Sequence, residues 1–253
     1  MTTKFPITTV VFDFDGTLAA TLEGIYACVC ETLSRFGYAK PSLSEVRSTI
    51  GIPLEDGLQR LTAAQRNDSS FHKLVKVYRA VHYERAGPLT TLFRGTLETL
   101  SALRSMHMQM ILVSNKSGSG LRRQIKQFGI DQYMDIVLGV DDTSFRKPDG
   151  RLFEQNFAPH LAAPGGSQVL MVGDTELDIL FAKNAGLRSC WASYGYGDED
   201  ACKALAPDFI LPDITELPAL ISAINPPANG ETVESTPSAL WGAKSQFTII
   251  RYS

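Results

Sequence analysis

The sequence predicts an α/β protein in which an all-helical segment interrupts a parallel sheet flanked by helices. A buried strand is predicted over about residues 7–13, because the apolar run that begins at Val10 is rich in β-branched and aromatic side chains. Helical patterns then fill residues 19–87. From residue 95 onward, apolar strand candidates alternate with helical patterns, and this alternation indicates βαβ units with right-handed crossovers.

The interrupting segment contains four predicted helices. Apolar residues recur at intervals of three and four over residues 22–36, which predicts an amphipathic helix. Ser42 and Glu45 have the spacing of a capping box and open a short second helix. A third helix is predicted near residues 53–65, and Asp68 can cap a longer fourth one.

The later part of the chain supplies the rest of the sheet. The strand candidates are residues 109–114, 135–139, 168–173, 187–192 and 208–211. The helix candidates are residues 95–106, 118–129, 149–160, 175–186 and 215–224. Because the opening strand should join this sheet, the helical segment is expected to be an insertion in one domain.

This reasoning predicts three parts of the chain. Residues 1–18 and 88–225 form a discontinuous core domain, and residues 19–87 form a helical cap. Residues 226–253 form a linker and tail, because their first half is rich in Pro, Asn, Glu, Ser and Thr. Residues 247–252 are expected to add a short strand or to form a mobile end, with a packing role favoured over a functional one.

Composition narrows the class of protein. The chain has 253 residues, 44% hydrophobic residues and a formal net charge of −3, which are typical of a soluble globular protein without a nucleic-acid footprint. No apolar run approaches the ~18 residues of a membrane span, and no signal-peptide pattern opens the sequence. We therefore expect a cytoplasmic monomer or homodimer with reduced cysteines.

Two acids follow the opening strand. Asp13 and Asp15 are two positions apart, so their side chains share a face while the strand geometry lasts. Two carboxylates aimed at one point repel each other unless a cation or a shared proton intervenes, and Mg²⁺ prefers such oxygen ligands. The alternative is a simple turn, since Asp and Gly are common turn residues.

Polar residues also follow two later strands. Ser114 and Asn115 can donate hydrogen bonds to phosphate oxygens, and the alternative is a helix N-cap. Lys147 precedes Pro148, which restricts it to an extended conformation in a loop. Its ammonium is a compact charge suited to phosphate, although a solvated lysine is the usual alternative.

A second acidic pair follows the strand at residues 168–173. Asp174 comes directly after this strand, and Asp178 follows one helical turn later. A cap or turn explains Asp174 alone, but it does not explain acids at two separate strand ends. Since the carboxyl ends of parallel strands meet at one edge of the sheet, Asp174 is expected to face Asp13 and Asp15.

These residues occur as Asp13-x-Asp15-Gly-Thr, Ser114-Asn-Lys, Lys147-Pro and Gly173-Asp174-x-x-x-Asp178. In order and spacing they resemble the four motifs of the haloacid dehalogenase superfamily, which implies a Rossmann-like core. The helical insertion resembles the cap of its phosphoglycolate phosphatase-like branch. One departure is Ala20-Thr21, where members often have Asp-Ser, and it weakens the assignment to phosphoglycolate itself.

The resemblance implies a two-step phosphoryl transfer. Asp13 would attack phosphorus and form an aspartyl-phosphate, while Asp15 would act as general acid and then general base. Asp13, the main-chain carbonyl of Asp15 and Asp174 would hold Mg²⁺. Asp178 would orient a metal-bound water from behind.

The resemblance also implies a phosphate-binding set. Ser114 and Lys147 would stabilise charge on the transferred phosphoryl oxygens. Asn115 and the main-chain amides of Gly16 and Thr17 would assist them. We expect the partner to be a small phosphorylated metabolite, since a cap of this size would exclude bulky substrates.

Several functions remain open. The first is a phosphatase for a small phosphomonoester such as phosphoglycolate, with a nucleotidase or a pyrophosphatase close to it. A phosphomutase would share Asp13 and Asp15, and a degenerate binding module is the non-enzymatic alternative. Dehalogenation is disfavoured because a halide leaving group needs no acid such as Asp15. Specificity residues are expected within residues 47–56, where Arg47, or the nearby Arg60, is a candidate for a substrate carboxylate.

Overall fold

The computed structural model describes residues 5–161 and 165–225. Within these ranges the strands are β1 (Thr9–Phe12), β2 (Ala19–Ala20), β3 (Thr91–Leu92), β4 (Gln109–Val113), β5 (Ile136–Leu138), β6 (Val169–Gly173), β7 (Arg188–Ala192) and β8 (Phe209–Leu211). The main sheet is parallel and has the order β5-β4-β1-β6-β7-β8. The predicted α/β class with a parallel sheet is confirmed.

Strand β1 lies at the centre of this sheet and sets its register. Phe12 at its end pairs with Leu112 of β4 on one side and with Val172 of β6 on the other. The residues that follow β1, β4 and β6 therefore lie at nearly the same level along the strand direction. Parallel packing thus brings three distant parts of the sequence to one edge.

Helices cover both faces of the sheet. In chain order the helices of the described residues are α1 (Leu22–Arg35), α2 (Leu43–Arg47), α3 (Leu54–Thr62), α4 (Ser69–Arg85), α5 (Thr96–Ser105), α6 (Gly118–Gln127), α7 (Arg151–Asn156), α8 (Glu176–Asn184), α9 (Glu199–Ala204) and α10 (Leu217–Ile224). Val10 and Phe12 belong to the hydrophobic cluster on one face, whereas Val11 belongs to the cluster on the other. Burial on both faces explains why Val10, Val11 and Phe12 of β1 are all apolar.

Helices α1 to α4 pack around a hydrophobic cluster of their own. Ser42 and Glu45 form the predicted capping box, and the Asp68 side chain accepts a hydrogen bond from the Ser70 amide. The antiparallel pair of β2 and β3 lies where the chain enters and leaves this segment. These features support the proposed helical cap. The cluster comprises Cys28, Val29, Leu33, Val46, Leu58, Phe71, Leu74, Val75, Tyr78, Val81 and Ala86.

Four elements differ from the sequence prediction. The β2 and β3 pair was not predicted, because strands of two residues leave no periodic pattern. Helix α9 was also missed, although Asp198 caps it by accepting a hydrogen bond from the Ala201 amide at 2.9 Å. Helix α7 ends at Asn156 and not at residue 160, since Pro159 has no N–H to continue a helix. The predicted linker and tail, residues 226–253, lie outside the described residues.

Candidate active site

Polar side chains from four parts of the chain meet at the carboxyl edge of the sheet. Asp13 follows β1, Ser114 follows β4 and Asp174 follows β6. Lys147 comes from the loop between β5 and α7, and Asp178 lies in the first turn of α8. All five side chains are buried, although they are polar or charged. Burial of such groups is stable only when they are paired with one another or with an ion.

Lys147 connects two of the acids. Its Nζ atom donates to Asp13 Oδ1 and to Asp178 Oδ1, both at 2.6 Å. The Lys147 side chain is only 2% exposed, so both ion pairs are shielded from water. The structure therefore places this lysine beside Asp13, on a loop, and not on the solvent face of a helix.

Asp174 is held by the turn after β1 and by a later loop. The Thr17 hydroxyl donates to its Oδ1 atom at 3.0 Å, and the Tyr196 amide donates to its Oδ2 atom at 2.7 Å. Gly16 has a φ of +88°, and a Cβ there would lie 2.2 Å from Asp174 Oδ2. Only glycine fits this position without moving the carboxylate.

Asp178 is fixed by the start of its own helix. Its Oδ2 atom accepts hydrogen bonds from the amide and the hydroxyl of Thr175, at 3.0 Å and 2.9 Å. Its Oδ1 atom accepts from Lys147. Both oxygens of this carboxylate thus have protein donors, which fits the predicted place behind a metal site.

Asp15 pairs with Lys116. This lysine is part of the Ser114-Asn-Lys motif, but the sequence alone predicted no role for it. Lys116 Nζ donates to the two carboxylate oxygens of Asp15 at 2.9 Å and 3.2 Å. Both side chains are 11% exposed, so the pair lies at the mouth of the site. Their separation of 101 residues explains why no local pattern could reveal this contact.

The predicted phosphate-binding residues adjoin this group, but several already have partners. The Asn115 amide donates to the carbonyls of Gly51 and Lys147 at 2.9 Å and 3.1 Å. The main-chain amides of Gly16 and Thr17 donate within their turn, to the carbonyls at positions 19 and 14. Phosphate contacts from these groups would therefore need shared hydrogen bonds. Ser114 is buried at the end of β4.

Arg47, a candidate for binding a substrate carboxylate, contacts a loop of the core instead. Its guanidinium donates to the carbonyls of Tyr196 at 2.9 Å and Gly195 at 3.1 Å. The Tyr196 hydroxyl in turn accepts from the amides of Thr21 and Leu22. The structure therefore assigns Arg47 to a link between the cap and the loop that holds Asp174. Arg60, the other candidate, is exposed.

Burial and repulsion shift the titration of the acids. Burial raises the pKa of Asp13 to about 7; Lys147 opposes this rise, and the charges of Asp178 and Asp15 add to it. Burial, with the charges of Asp13 and Asp178, also holds the pKa of Asp174 well above its usual range. Burial alone would lower the pKa of Lys147, but the two adjacent carboxylates raise it above its usual value. The acids of the site therefore outnumber its positive charges.

The same group of acids fits a divalent cation. Asp13, Asp174 and Asp178 each place a carboxylate oxygen within 4.8 Å of the others. When all are ionised, these three carboxylates and Lys147 leave an excess of two negative charges, because Asp15 is paired with Lys116. Hard carboxylate oxygens with this excess suit an ion such as Mg²⁺. Binding of such an ion would lower the pKa values that burial has raised.

Buried acids at the carboxyl edge of a parallel sheet, closed by a helical insertion, define an α/β enzyme. The chain belongs to the haloacid dehalogenase-like hydrolase family, whose model matches residues 10–192. The resemblance in the four motifs is thereby confirmed, as is the expectation of an enzyme of this superfamily. Within the described residues, no helix is both long and apolar enough to span a membrane.

Individual relatives agree with this assignment. Pyrophosphatase PpaX of Halalkalibacterium halodurans is 28% identical over 211 residues, which are 83% of this chain and 95% of that protein. Probable phosphatase IndB of Dickeya dadantii is 29% identical over 210 residues, which are 82% of this chain and 90% of that protein.

Solved structures show the same fold. A predicted phosphoglycolate phosphatase from Haemophilus somnus 129pt has a TM-score of 0.79 at 23% identity, covering 85% of this chain and 97% of that one. A haloacid dehalogenase-like family hydrolase from Streptococcus pneumoniae has a TM-score of 0.73 at 24% identity, covering 85% of this chain and 98% of that one. At these identities the likeness shows the architecture, including the helical insertion.

Proposed function

We propose that this chain is a Mg²⁺-dependent phosphatase that hydrolyses a small phosphomonoester through an aspartyl-phosphate on Asp13. One observation carries the proposal: three buried carboxylates, Asp13, Asp174 and Asp178, lie together with Lys147 as the ammonium that pairs with two of them, and a fourth acid, Asp15, lies at the mouth of the site. The named activities of the two curated relatives, a pyrophosphatase and a phosphatase, support the same class of reaction.

Asp13 is the proposed nucleophile. Its carboxylate attacks phosphorus, and the bond between phosphorus and the ester oxygen breaks. Asp15 must enter this step in its protonated form; it then gives its proton to the departing alkoxide and regains one from the water that hydrolyses the aspartyl-phosphate. Lys116 holds the Asp15 carboxylate at the mouth of the site through two hydrogen bonds.

The proposed metal ligands are Asp13, Asp174 and the main-chain carbonyl of Asp15, with Asp178 behind them. When bound, Mg²⁺ supplies positive charge that lets a phosphate dianion approach a carboxylate. Thr17 and Tyr196 orient Asp174 for this task through their hydrogen bonds. Lys147 and Thr175 orient Asp178 in the same way.

The proposed phosphate contacts come chiefly from Ser114 and Lys147. Lys147 is already placed against the nucleophile, so its charge lies where negative charge develops during transfer. Asn115 and the amides of Gly16 and Thr17 complete this set through shared hydrogen bonds. A small phosphorylated metabolite is the proposed partner, because the cap covers the edge of the sheet.

A pyrophosphatase is the second candidate, and the likeness to pyrophosphatase PpaX over 83% of the chain favours it. Both activities release inorganic phosphate and share every proposed residue. They differ in the group that leaves: an alcohol in one case and a second phosphate in the other.

The test is a phosphate-release assay over a panel of small phosphate esters and pyrophosphate, with Mg²⁺ and with EDTA. We expect release that stops on chelation and returns when Mg²⁺ is restored. Isomer formation without free phosphate would indicate a phosphomutase. Release that is indifferent to EDTA would contradict the metal assignment, and no release from any ester would contradict the proposed function.

A further inference from the structure

A cavity of about 390 Å³ extends from the proposed catalytic acids into the cap. Asp13, Asp15 and Ser114 line its inner end. Its size falls within the ~300–1,000 Å³ typical of small-molecule sites. The proposed acid Asp15 must reach the oxygen of the leaving group, so the organic part of the substrate has to occupy this cavity.

The cap wall of the cavity is apolar. Its side chains come from α1, α3 and α4, and three of them (Ile25, Leu54 and Leu61) are only partly buried by the protein. The apolar surface that they leave open gains free energy when an apolar group covers it. The apolar residues of this wall are Ile25, Val29, Leu54, Leu58, Leu61 and Tyr78, and Glu55, Arg79 and His82 line the cavity from the same helices.

The long cationic side chains that line the cavity already have partners. Lys116 is paired with Asp15, and Arg79 donates to Glu55 Oε1 at 2.8 Å. Arg123 donates to the Tyr83 carbonyl at 2.6 Å and lies over the Tyr83 ring, 4.0 Å from its centroid. The charges of Lys116 and Arg79 are therefore offset by carboxylates, and Arg123 is already engaged by Tyr83.

One donor that lines the cavity from α6 is still open. The Nε atom of Arg123 is buried without a hydrogen-bond partner among the described residues. A single nitrogen suits one oxygen atom of a substrate, whereas a carboxylate is best held by two parallel hydrogen bonds. This donor is compatible with an ether, carbonyl or hydroxyl oxygen on an uncharged group.

Other polar groups that line the cavity disfavour an anion. Burial, together with the charge of Lys116, lowers the pKa of His82 to about 3, so the ring is neutral at neutral pH. Asp141 also lines the cavity, and its charge repels a negatively charged group. The charges and the apolar surface of the cavity thus favour the same occupant, an uncharged and apolar group.

We propose that the substrate of this site is the phosphate monoester of an uncharged, predominantly apolar alcohol, whose organic group fills the cap cavity. The proposal rests on the proposed function and names its substrate class. Hydrolysis breaks the bond between phosphorus and the ester oxygen, and the alcohol leaves with the proton from Asp15. Leu54 and Leu61 are specificity-determining residues, because they supply partly open apolar surface without contacting the phosphate.

The experiment measures kcat/KM for methyl, butyl and hexyl phosphate beside phosphoglycolate and pyrophosphate, all with Mg²⁺. The three alkyl esters have leaving groups of similar chemical reactivity, so differences among them report binding of the chain. A buried methylene is worth about fourfold, and hexyl phosphate has five more methylenes than methyl phosphate, so its kcat/KM should be higher by on the order of 1,000-fold. It should also exceed phosphoglycolate and pyrophosphate.

A pair of variants locates the preference. Leu61→Asn places a polar isostere on the cavity wall, and the ratio of kcat/KM for hexyl over methyl phosphate should fall by about tenfold or more. Val77→Thr is the control, because Val77 packs against the same cap cluster but does not line the cavity. Its ratio should stay at the wild-type value. A ratio within one protein does not depend on the fraction of molecules that fold.

The outcomes separate this proposal from the proposed function. Hydrolysis of phosphoglycolate or pyrophosphate at a kcat/KM equal to or above that of hexyl phosphate overturns the substrate class and leaves the phosphatase intact. A ratio that Leu61→Asn and Val77→Thr change equally overturns the role of the cavity wall. Absence of hydrolysis for every ester overturns the proposed function and the substrate class with it.

Discussion

Replacement of Lys147 by methionine tests the charge balance of the site. Lys147 is the ammonium that lies between Asp13 and Asp178, at 2.6 Å from each. Methionine keeps the length and the apolar stem of the side chain but removes the charge. Asp13, Asp174 and Asp178 then remain together in a buried space without their compensating cation.

The expected loss of stability is large. Removing one partner of a buried ion pair costs about 3–5 kcal/mol, since an uncompensated charge stays behind. The upper half of that range applies here, because Lys147 serves two carboxylates and is only 2% exposed. For a chain of this size the thermal midpoint should fall by about 10 °C at neutral pH.

The loss should depend on pH in a defined direction. The pKa of Asp13 is already raised to about 7 by burial, and it rises further when Lys147 no longer opposes that rise. The folded variant then binds more protons than the unfolded chain above the ordinary pKa of an aspartate, so its stability falls as pH rises through the folded pKa. The deficit of Lys147→Met should therefore shrink between about pH 8 and about pH 6.

The assay is thermal unfolding followed by circular dichroism at both pH values, without added metal. Lys76→Met is the matched control, because Lys76 is exposed in the middle of α4, and its thermal midpoint should stay near that of the wild type. Equal midpoints for Lys147→Met and the wild type at about pH 8 would refute the charge argument. A deficit that grows as the pH falls would refute it as well.

The other predictions concern the turn after β1 and the link from the cap. Gly16→Ala should lower kcat by on the order of 100-fold, because its Cβ would displace Asp174, whereas Gly37→Ala adds similar left-handed strain, with a φ of +75°, but meets no atom within 4 Å. Phosphatase assays that find equal losses in the two variants would contradict the steric account. Arg47→Ala should raise KM several-fold with little change in the thermal midpoint, since it removes two exposed hydrogen bonds that join the cap to the core. Steady-state kinetics of Arg47→Ala decide this point, with the exposed Arg60→Ala as the control. An unchanged KM for Arg47→Ala would count against the link.

The sequence predicts the sheet and most helices because their signals are local. Apolar runs mark the strands, and Ser42 and Asp68 mark helix starts through cap chemistry that operates within three residues. Pro159 carried a signal of the same kind, and it explains why α7 is shorter than its apolar pattern suggests. Helix α9 had a signal in Asp198 that the apolar pattern alone did not display.

Only the part of the site that lies at strand ends could be predicted from the sequence. The acids at 13, 15, 174 and 178 follow apolar strands, and parallel packing must bring such positions to one edge. Contacts made by loops carry no such signal. The pairing of Lys116 with Asp15 and the hydrogen bond from the Tyr196 amide to Asp174 depend on how distant loops fold over the edge. The apolar cap wall likewise arises only when α1, α3 and α4 are assembled.

The central claim is that Asp13 attacks phosphorus in a site completed by Mg²⁺, and phosphate release by Asp13→Asn tests it most directly. The carboxamide keeps the shape of the side chain but is a poor nucleophile. With saturating Mg²⁺ and an ester that the wild type hydrolyses, the variant should fold and should retain less than about 1% of the wild-type rate. A folded Asp13→Asn protein that releases phosphate at a rate comparable to the wild type would contradict the account.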